Sequence, residues 1–402
     1  MAYRTNQLPS RIITIENQEY LWFGGTSYLG MAHHQEFREN FTKALTQYGM
    51  SWGSSRNSNI RLDIYEKAEI ELAKFANMPA ALTTSSGMWA GQLVTHFLQQ
   101  QNATFYYAPK THPALWQINS LTLRDWEIGL SYKKWSKIIV EKIKESKEEN
   151  IVICSDAVGS PYVESFDFQW IKDLPEDRNI TVVVDASHSL GVNISEFGFD
   201  QFRDLGIDFI ENPQIPKSDE SKFRQPLNRP IQKSDKSDES KFRRGRLRQR
   251  FIITASLNKA LAMPGGVIFS DEETVAQIRQ MPMFAGASPM MPALLDAFVN
   301  SIDLYREQQQ KLSENIAYFN RLIPKNTFLN SIENYPAYCT YQEGFFDYLK
   351  QNGIMTACFP YPTATDKPVT RLVISALHTK EDLEKLAGMV SIKYKPLSLR
   401  TQ

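Results

Sequence analysis

Apolar residues along this chain gather into short unbroken runs rather than a strict alternation with polar ones. AALTTSS, IVICSDA, TVVVDAS, FIITAS and GVIFS are each rich in Val, Ile, Ala or Phe and bounded by small or polar residues. Such runs predict strands covered on both faces, as in a parallel sheet flanked by helices. Segments of helical spacing lie between them, such as EKAEIELAKF between about Tyr65 and Phe75, built from strong helix formers. From near Pro292 a sustained helical period, ALLDAFVNSIDLYREQQQKLSENIAYFNRLI, predicts one long helix that bridges a large unit to a small one. The remainder, up to RLVISALHTKEDLEKLAGMV, reads as compact α+β. The expected architecture is α/β. An N-terminal segment (1–28) precedes a large domain with a mainly parallel sheet (29–304) and a small C-terminal α+β domain (305–402).

One segment breaks the pattern. KSDESKFR occurs at Lys217–Arg224 and again at Lys236–Arg243, the second copy running on into RGRLRQR. The region from about 212 to 250 has too few aliphatics to bury a core and reads as a polar surface insertion. It is locally basic, yet the whole chain of 402 residues carries 45 Lys+Arg against 45 Asp+Glu. That balance gives no reason to expect nucleic acid or an anionic membrane as a partner. Cys154, Cys339 and Cys358 are odd in number and fit no metal-ligand spacing, so neither a disulfide framework nor a metal site is expected. The N-terminus MAYRTNQLPSRIITIENQEY lacks a signal-peptide core, and no run approaches the ~18 apolar residues of a membrane span. A cytoplasmic protein is expected.

Candidate chemistry sits where two hydrophobic runs end. TVVVD delivers Asp185 to a strand end, with His188 three residues later. Ligands of open α/β sheets collect at the carboxyl ends of strands, and a carboxylate there needs hydration or a cation. A helix N-cap is the competing role for Asp185. FIITASLNKALAMPGG brings Lys259 past the next strand, in a stretch nearly free of charge, with Gly265 and Gly266 allowing a tight return into GVIFS. A lysine in apolar surroundings is a usable amine nucleophile, although an isolated lysine is more simply a surface residue. Ser256 and Lys259 also fit the S-x-x-K pattern of serine acylation, but neither K-T-G nor S-D-N accompanies it.

In combination these landmarks resemble the α-oxoamine synthase family of fold-type I pyridoxal-phosphate (PLP) enzymes. TSYLGMAHH, YGMSWGSSR, SSGMWAGQ, THPAL, SDAVGSP, DASHSLG, SLNKALAMPGG, GASPMMPA and TRLVISALHTKEDLEKL appear in the family's order. The resemblance implies Lys259 as the Schiff-base lysine and proton shuttle, and Asp185 as the partner of the pyridinium nitrogen. It implies His188 and Ser160 at the phenolic oxygen and His112 stacked on the ring, where a satisfied core histidine is the plainer alternative. Gly87, Met88, Ser256 and Ser288 would surround the phosphate, Ser288 reaching across a homodimer. Arg371 would clamp an amino-acid carboxylate, and Thr26 stands at a substrate-side position where the family usually has Asn. Met88 replaces an aromatic and Gly91 an Asn, so the departures gather on the acyl-donor side. The implied reaction condenses a small amino acid with an acyl-CoA thioester and releases CO2. Amino transfer on the same scaffold and a non-catalytic binding protein on this fold remain open alternatives.

Overall fold

A computed structural model describes residues 3–117, 130–192, 249–324, 327–361 and 364–391. The repeated basic segment lies outside the described residues except at its last two positions. A six-stranded sheet forms the centre, in the spatial order Ala80–Thr84, Gly266–Ser270, Arg250–Ser256, Asn179–Asp185, Asn150–Asp156 and Thr104–Tyr107. All five apolar runs are strands, and Thr104–Tyr107, too short to stand out in the sequence, extends the edge. The sheet is parallel from Thr104–Tyr107 through Arg250–Ser256. Gly266–Ser270 runs against both of its neighbours. The link from Ser256 to Gly266 is too short for the crossover that a parallel pair needs, so the chain folds straight back. An added Cβ on Gly266 would sit 2.2 Å from the Ser86 carbonyl oxygen, which is why only glycine fits there.

The helix over Asp63–Phe75 places Ile64, Ala68 and Leu72 on its buried face, acids in its first turn and Lys74 in its last. That face also buries Glu69. Arg56 meets it twice, at 2.9 and 3.1 Å, Arg279 at 2.6 Å, and Thr83 donates from both N–H and hydroxyl. Arg56 also lies 4.1 Å above the Tyr65 ring. Burial pushes the Glu69 carboxyl upward, but the two guanidiniums win and hold it below its ordinary range. Glu69→Gln strands Arg56 in the interior and is expected to cost about 3–5 kcal/mol, read by urea unfolding.

The long C-terminal helix expected from periodicity is in fact two, Pro292–Val299 and Ile302–Leu322. Asn300 turns its side-chain amide back onto the Asp296 carbonyl, and Asn40 reaches across to the Asn300 carbonyl and the Ser301 hydroxyl. Side chains that compete for backbone groups end a helix even where its apolar spacing continues.

A four-stranded antiparallel sheet of Asn330–Ser331, Ala337–Thr340, Pro368–Val373 and Ala357–Pro360 forms the C-terminal unit. The N-terminal hairpin Ile12–Ile15/Gln18–Trp22 joins this unit through Ile354–Met355. His378 locks the junction. Its Nε2 meets the Trp22 carbonyl at 2.9 Å, its Nδ1 receives the Ser375 N–H at 2.9 Å, and its ring stacks on Phe23 at 4.0 Å. These bonds need a neutral ring, and burial, the largest influence, lowers its pKa to about 4 despite the Trp22 carbonyl and Asp382. An unfolded histidine titrates near 6.5, so the unfolded chain binds more protons between the two values. Stability is therefore full above about pH 6.5 and falls as the pH drops toward 4, by about 3 kcal/mol at the lower end. Urea midpoints across that window should show this slope, and His378→Gln should flatten it.

Candidate active site

Three parallel strands end side by side with chemically useful residues. Asp156 lies directly opposite Asp185, and Asp185 opposite Thr254, two residues short of Ser256. Asp185 is buried; its Oδ1 receives the Ser187 N–H at 2.8 Å. Its Oδ2 has no hydrogen-bond donor among the described residues and lies 3.8 Å from the half-exposed His112 Nδ1. The N-cap alternative is not what forms, because the chain after Asp185 turns rather than entering a helix. A buried carboxylate with one oxygen uncommitted is a place for a cation.

Lys259 follows in a turn and opens no helix. Its partly buried amine makes no hydrogen bond or ion pair with any described residue, although its charge is felt by His112, Asp156 and His188. His112 is lowered first by burial, then held up by Asp185 and pushed down by Lys259. Asp185 and Lys259 thus both act on the His112 ring.

Opposite them the helix Gly87–Gln99 begins, capped by Ser86, whose Oγ receives the Trp89 N–H at 3.1 Å. A Cβ on Gly87 would come 2.7 Å from Ser256 Cβ, so this helix start rests on the Ser256 turn. Bare amides at a helix N-terminus beside a serine suit a phosphate. The uncommitted Asp185 oxygen, the unpartnered Lys259 amine and this glycine cradle together fit PLP. Ser256 Oγ also accepts the Asn258 N–H at 3.3 Å, shaping the turn that presents Lys259.

Arg371 comes from the other sheet, on strand Pro368–Val373, and is buried. Nη2 donates to Tyr28 Oη at 3.0 Å and Nη1 to the Gly25 carbonyl at 3.3 Å, while Nε has no partner. No carboxylate pairs with it among the described residues. Burial works against its charge, but Tyr28 and Tyr335 outweigh that and raise its pKa further. Tyr28 Oη also lies 3.0 Å from His188 Nδ1, joining Arg371 to the loop after Asp185. Burial chiefly, then the charges of Lys259 and Arg371, hold His188 well below the usual histidine range.

Contacts and charge interactions thus link Lys259, Asp185, His112, His188 and Arg371, and the Gly87 helix start rests on Ser256. Met88 follows Gly87 with its side chain half-exposed, and Thr26 lies one residue beyond Gly25, whose carbonyl Arg371 holds. Ser160 sits in the turn beyond strand Asn150–Asp156 and Ser288 on an exposed stretch, neither with a side-chain hydrogen bond to a described residue. Asp156, Tyr28 and Tyr335 went unnoticed in the sequence. Asp156 is buried and receives the His112 N–H at 3.0 Å, and burial, then the charge of Asp185, push its pKa well above the ordinary carboxylate range. Its signal was available, since IVICSD ends in Asp as TVVVD does.

The sequence pattern of the family described as aminotransferase class I and II matches residues 18–390. The 8-amino-7-oxononanoate synthase of Thermosipho melanesiensis is 23% identical over 386 residues, spanning 92% of this chain and 88% of that protein. Among solved structures, serine palmitoyltransferase from S. paucimobilis with a bound PLP–myriocin compound superposes with a TM-score of 0.70 at 13% identity, covering 97% of this chain and 91% of that one. The 8-amino-7-oxononanoate synthase of Francisella tularensis gives 0.61 at 18% identity, covering 92% and 97%. At these identities the solved structures establish a shared fold, that of fold-type I transferases.

Proposed function

We propose that this chain, which belongs to the aminotransferase class I and II family and is a PLP-dependent transferase of α-oxoamine synthase type, condenses a small amino acid with an acyl-CoA thioester. In the net reaction a carbon–carbon bond forms between the α-carbon and the thioester carbonyl carbon, and the CoA thiol and CO2 leave. The observation that carries the amino-acid half is Arg371, a buried cation with an orphaned Nε–H and no carboxylate partner among the described residues. A guanidinium so placed takes a substrate carboxylate in a two-pronged grip.

PLP, held by Lys259, Asp185 and the Gly87 helix start, supplies the electron sink. Lys259 would take the proton from the α-carbon, a role open to it because its amine has no partner among the described residues. Asp185 would pair with the ring nitrogen through its free Oδ2, His112, whose N–H is held by Asp156, would stack on the ring, and His188 and Ser160 would serve the phenolic oxygen. The acyl half is supported by the family landmarks and by the relatives' names. The same reading has a homodimer in which Ser288 would complete the partner's phosphate site. The division into 1–28, 29–304 and 305–402 and a cytoplasmic setting belong to the same proposal. No helix among the described residues is long and apolar enough to cross a membrane.

The test is release of free thiol when purified protein meets alanine, glycine or serine together with a set of acyl-CoA thioesters. Thiol release dependent on both substrates is expected. Formation of a keto acid from the amino acid alone, without thiol, would favour amino transfer, which shares Lys259, Asp185 and Arg371. Deleting Lys217–Arg248 is expected to leave cofactor content and turnover within about twofold, as for a solvated insertion; loss of turnover with PLP still bound would show that the segment works in the site.

A further inference from the structure

Histidine 188 stands in a chain of three buried or partly buried side chains drawn from distant parts of the sequence. Arg371 Nη2 lies 3.0 Å from Tyr28 Oη, and Tyr28 Oη lies 3.0 Å from His188 Nδ1. Tyr335 closes the arrangement from behind, donating to the His188 carbonyl at 3.1 Å. Tyr28 and Tyr335 are almost wholly buried, so their hydroxyls have little water to turn to.

Two of the hydrogens are fixed by chemistry. Arginine has no acceptor, so the contact with Tyr28 is a donation onto the phenolic oxygen. Tyr335 spends its one hydrogen on the His188 carbonyl. The Tyr28 hydrogen is then free to point at Nδ1, and that bond requires a bare Nδ1. Burial and the charges of Lys259 and Arg371 disfavour the charged form of His188. A neutral ring with bare Nδ1 carries its proton on Nε2.

We propose that Tyr28 is a positioning residue that, fixed in direction by Arg371, holds His188 as the Nε2–H tautomer so that this N–H is the donor offered to the phenolic oxygen of PLP. The relay also links the two halves of the site. A carboxylate that takes Arg371 changes the group that orients Tyr28, and the change is felt at the ring that faces the cofactor. This second consequence rests on the carboxylate role given to Arg371 above; the tautomer does not.

The Tyr335 oxygen is the competing acceptor for the Tyr28 hydrogen, since the two hydroxyls also interact. Were it chosen, Nδ1 would carry the proton and donate to Tyr28. The two arrangements differ in the nitrogen spectrum of the ring. The chain has 6 histidines, few enough to resolve with histidine-selective nitrogen labelling. His188→Gln identifies the signals. The measurement uses the full-length chain stripped of PLP, so that the cofactor does not itself select the tautomer. The expected result is a pyridine-like Nδ1 and a pyrrole-like Nε2. Tyr28→Phe should move both toward the averaged position of a mixed tautomer, whereas Tyr335→Phe should leave the pattern in place. A pyrrole-like Nδ1 in the unaltered chain, or a pattern that Tyr28→Phe leaves unchanged, would overturn the proposal. Adding propionate as a bare carboxylate should shift the His188 signals in the unaltered chain and not in Tyr28→Phe. Propionate that fails to bind while the Nε2–H pattern stands counts against the role of Arg371 and leaves the tautomer assignment supported.

Discussion

Lys259→Ala is expected to lower turnover by about 10⁴-fold or more while leaving the fold intact. A positioned general base is worth about 10²–10⁴-fold, and in the proposed function this amine also anchors the cofactor, so one substitution would remove two contributions. The fold should survive because the Lys259 side chain makes no hydrogen bond or ion pair to any described residue, and the neighbouring turn is held by backbone bonds. Met263 N–H donates to the Leu257 carbonyl at 3.0 Å and Leu257 N–H to the Gly265 carbonyl at 3.0 Å. Turnover, far-ultraviolet dichroism and urea midpoint measured together separate the cases. A variant that keeps its midpoint and its activity would remove Lys259 from the chemistry.

Arg371→Lys is the second large effect, expected to reduce kcat/KM for the amino acid by about 100-fold, mostly through KM. Hydrogen bonds to charged groups are worth about 1.5–3 kcal/mol each, and lysine keeps the charge but loses the second prong. In the proposed function the carboxylate is gripped in ground state and transition state alike, so the loss should fall on binding more than on kcat. The thioester KM should then change little, because the proposed role of the arginine is on the amino-acid side. An equal fall in affinity for both substrates would mean that Arg371 acts through the fold, through Tyr28 and Gly25, rather than by touching the carboxylate.

Much of the large sheet could be read from the chain itself. A strand buried on both faces leaves a signature that needs no partner to interpret, and the residues closing TVVVD and following FIITAS are conspicuous because charge there interrupts apolar surroundings. What escaped notice depends on partners remote in sequence. Tyr28 and Arg371 are 343 positions apart, and Tyr28 and His188 160. No local pattern announces that a buried phenol will lie between a histidine and an arginine. The break at Asn300–Ser301 was hidden for the opposite reason: its signal is local but polar, and it was overridden by an apolar period that runs straight through. Glu69 shows the same limit, being an ordinary helix-former in sequence and the centre of a buried ion network only once Arg56 and Arg279 arrive from elsewhere.

Borohydride reduction of the purified protein, followed by peptide mass mapping, tests most directly whether the amine and carboxylate at these strand ends share one ring. A pyridoxyl mass on Lys259, lost in Lys259→Ala and accompanied by disappearance of the cofactor's visible absorption, is the predicted result. The same mass on a different lysine of the native protein, or its absence from a protein that still turns over, would contradict the account.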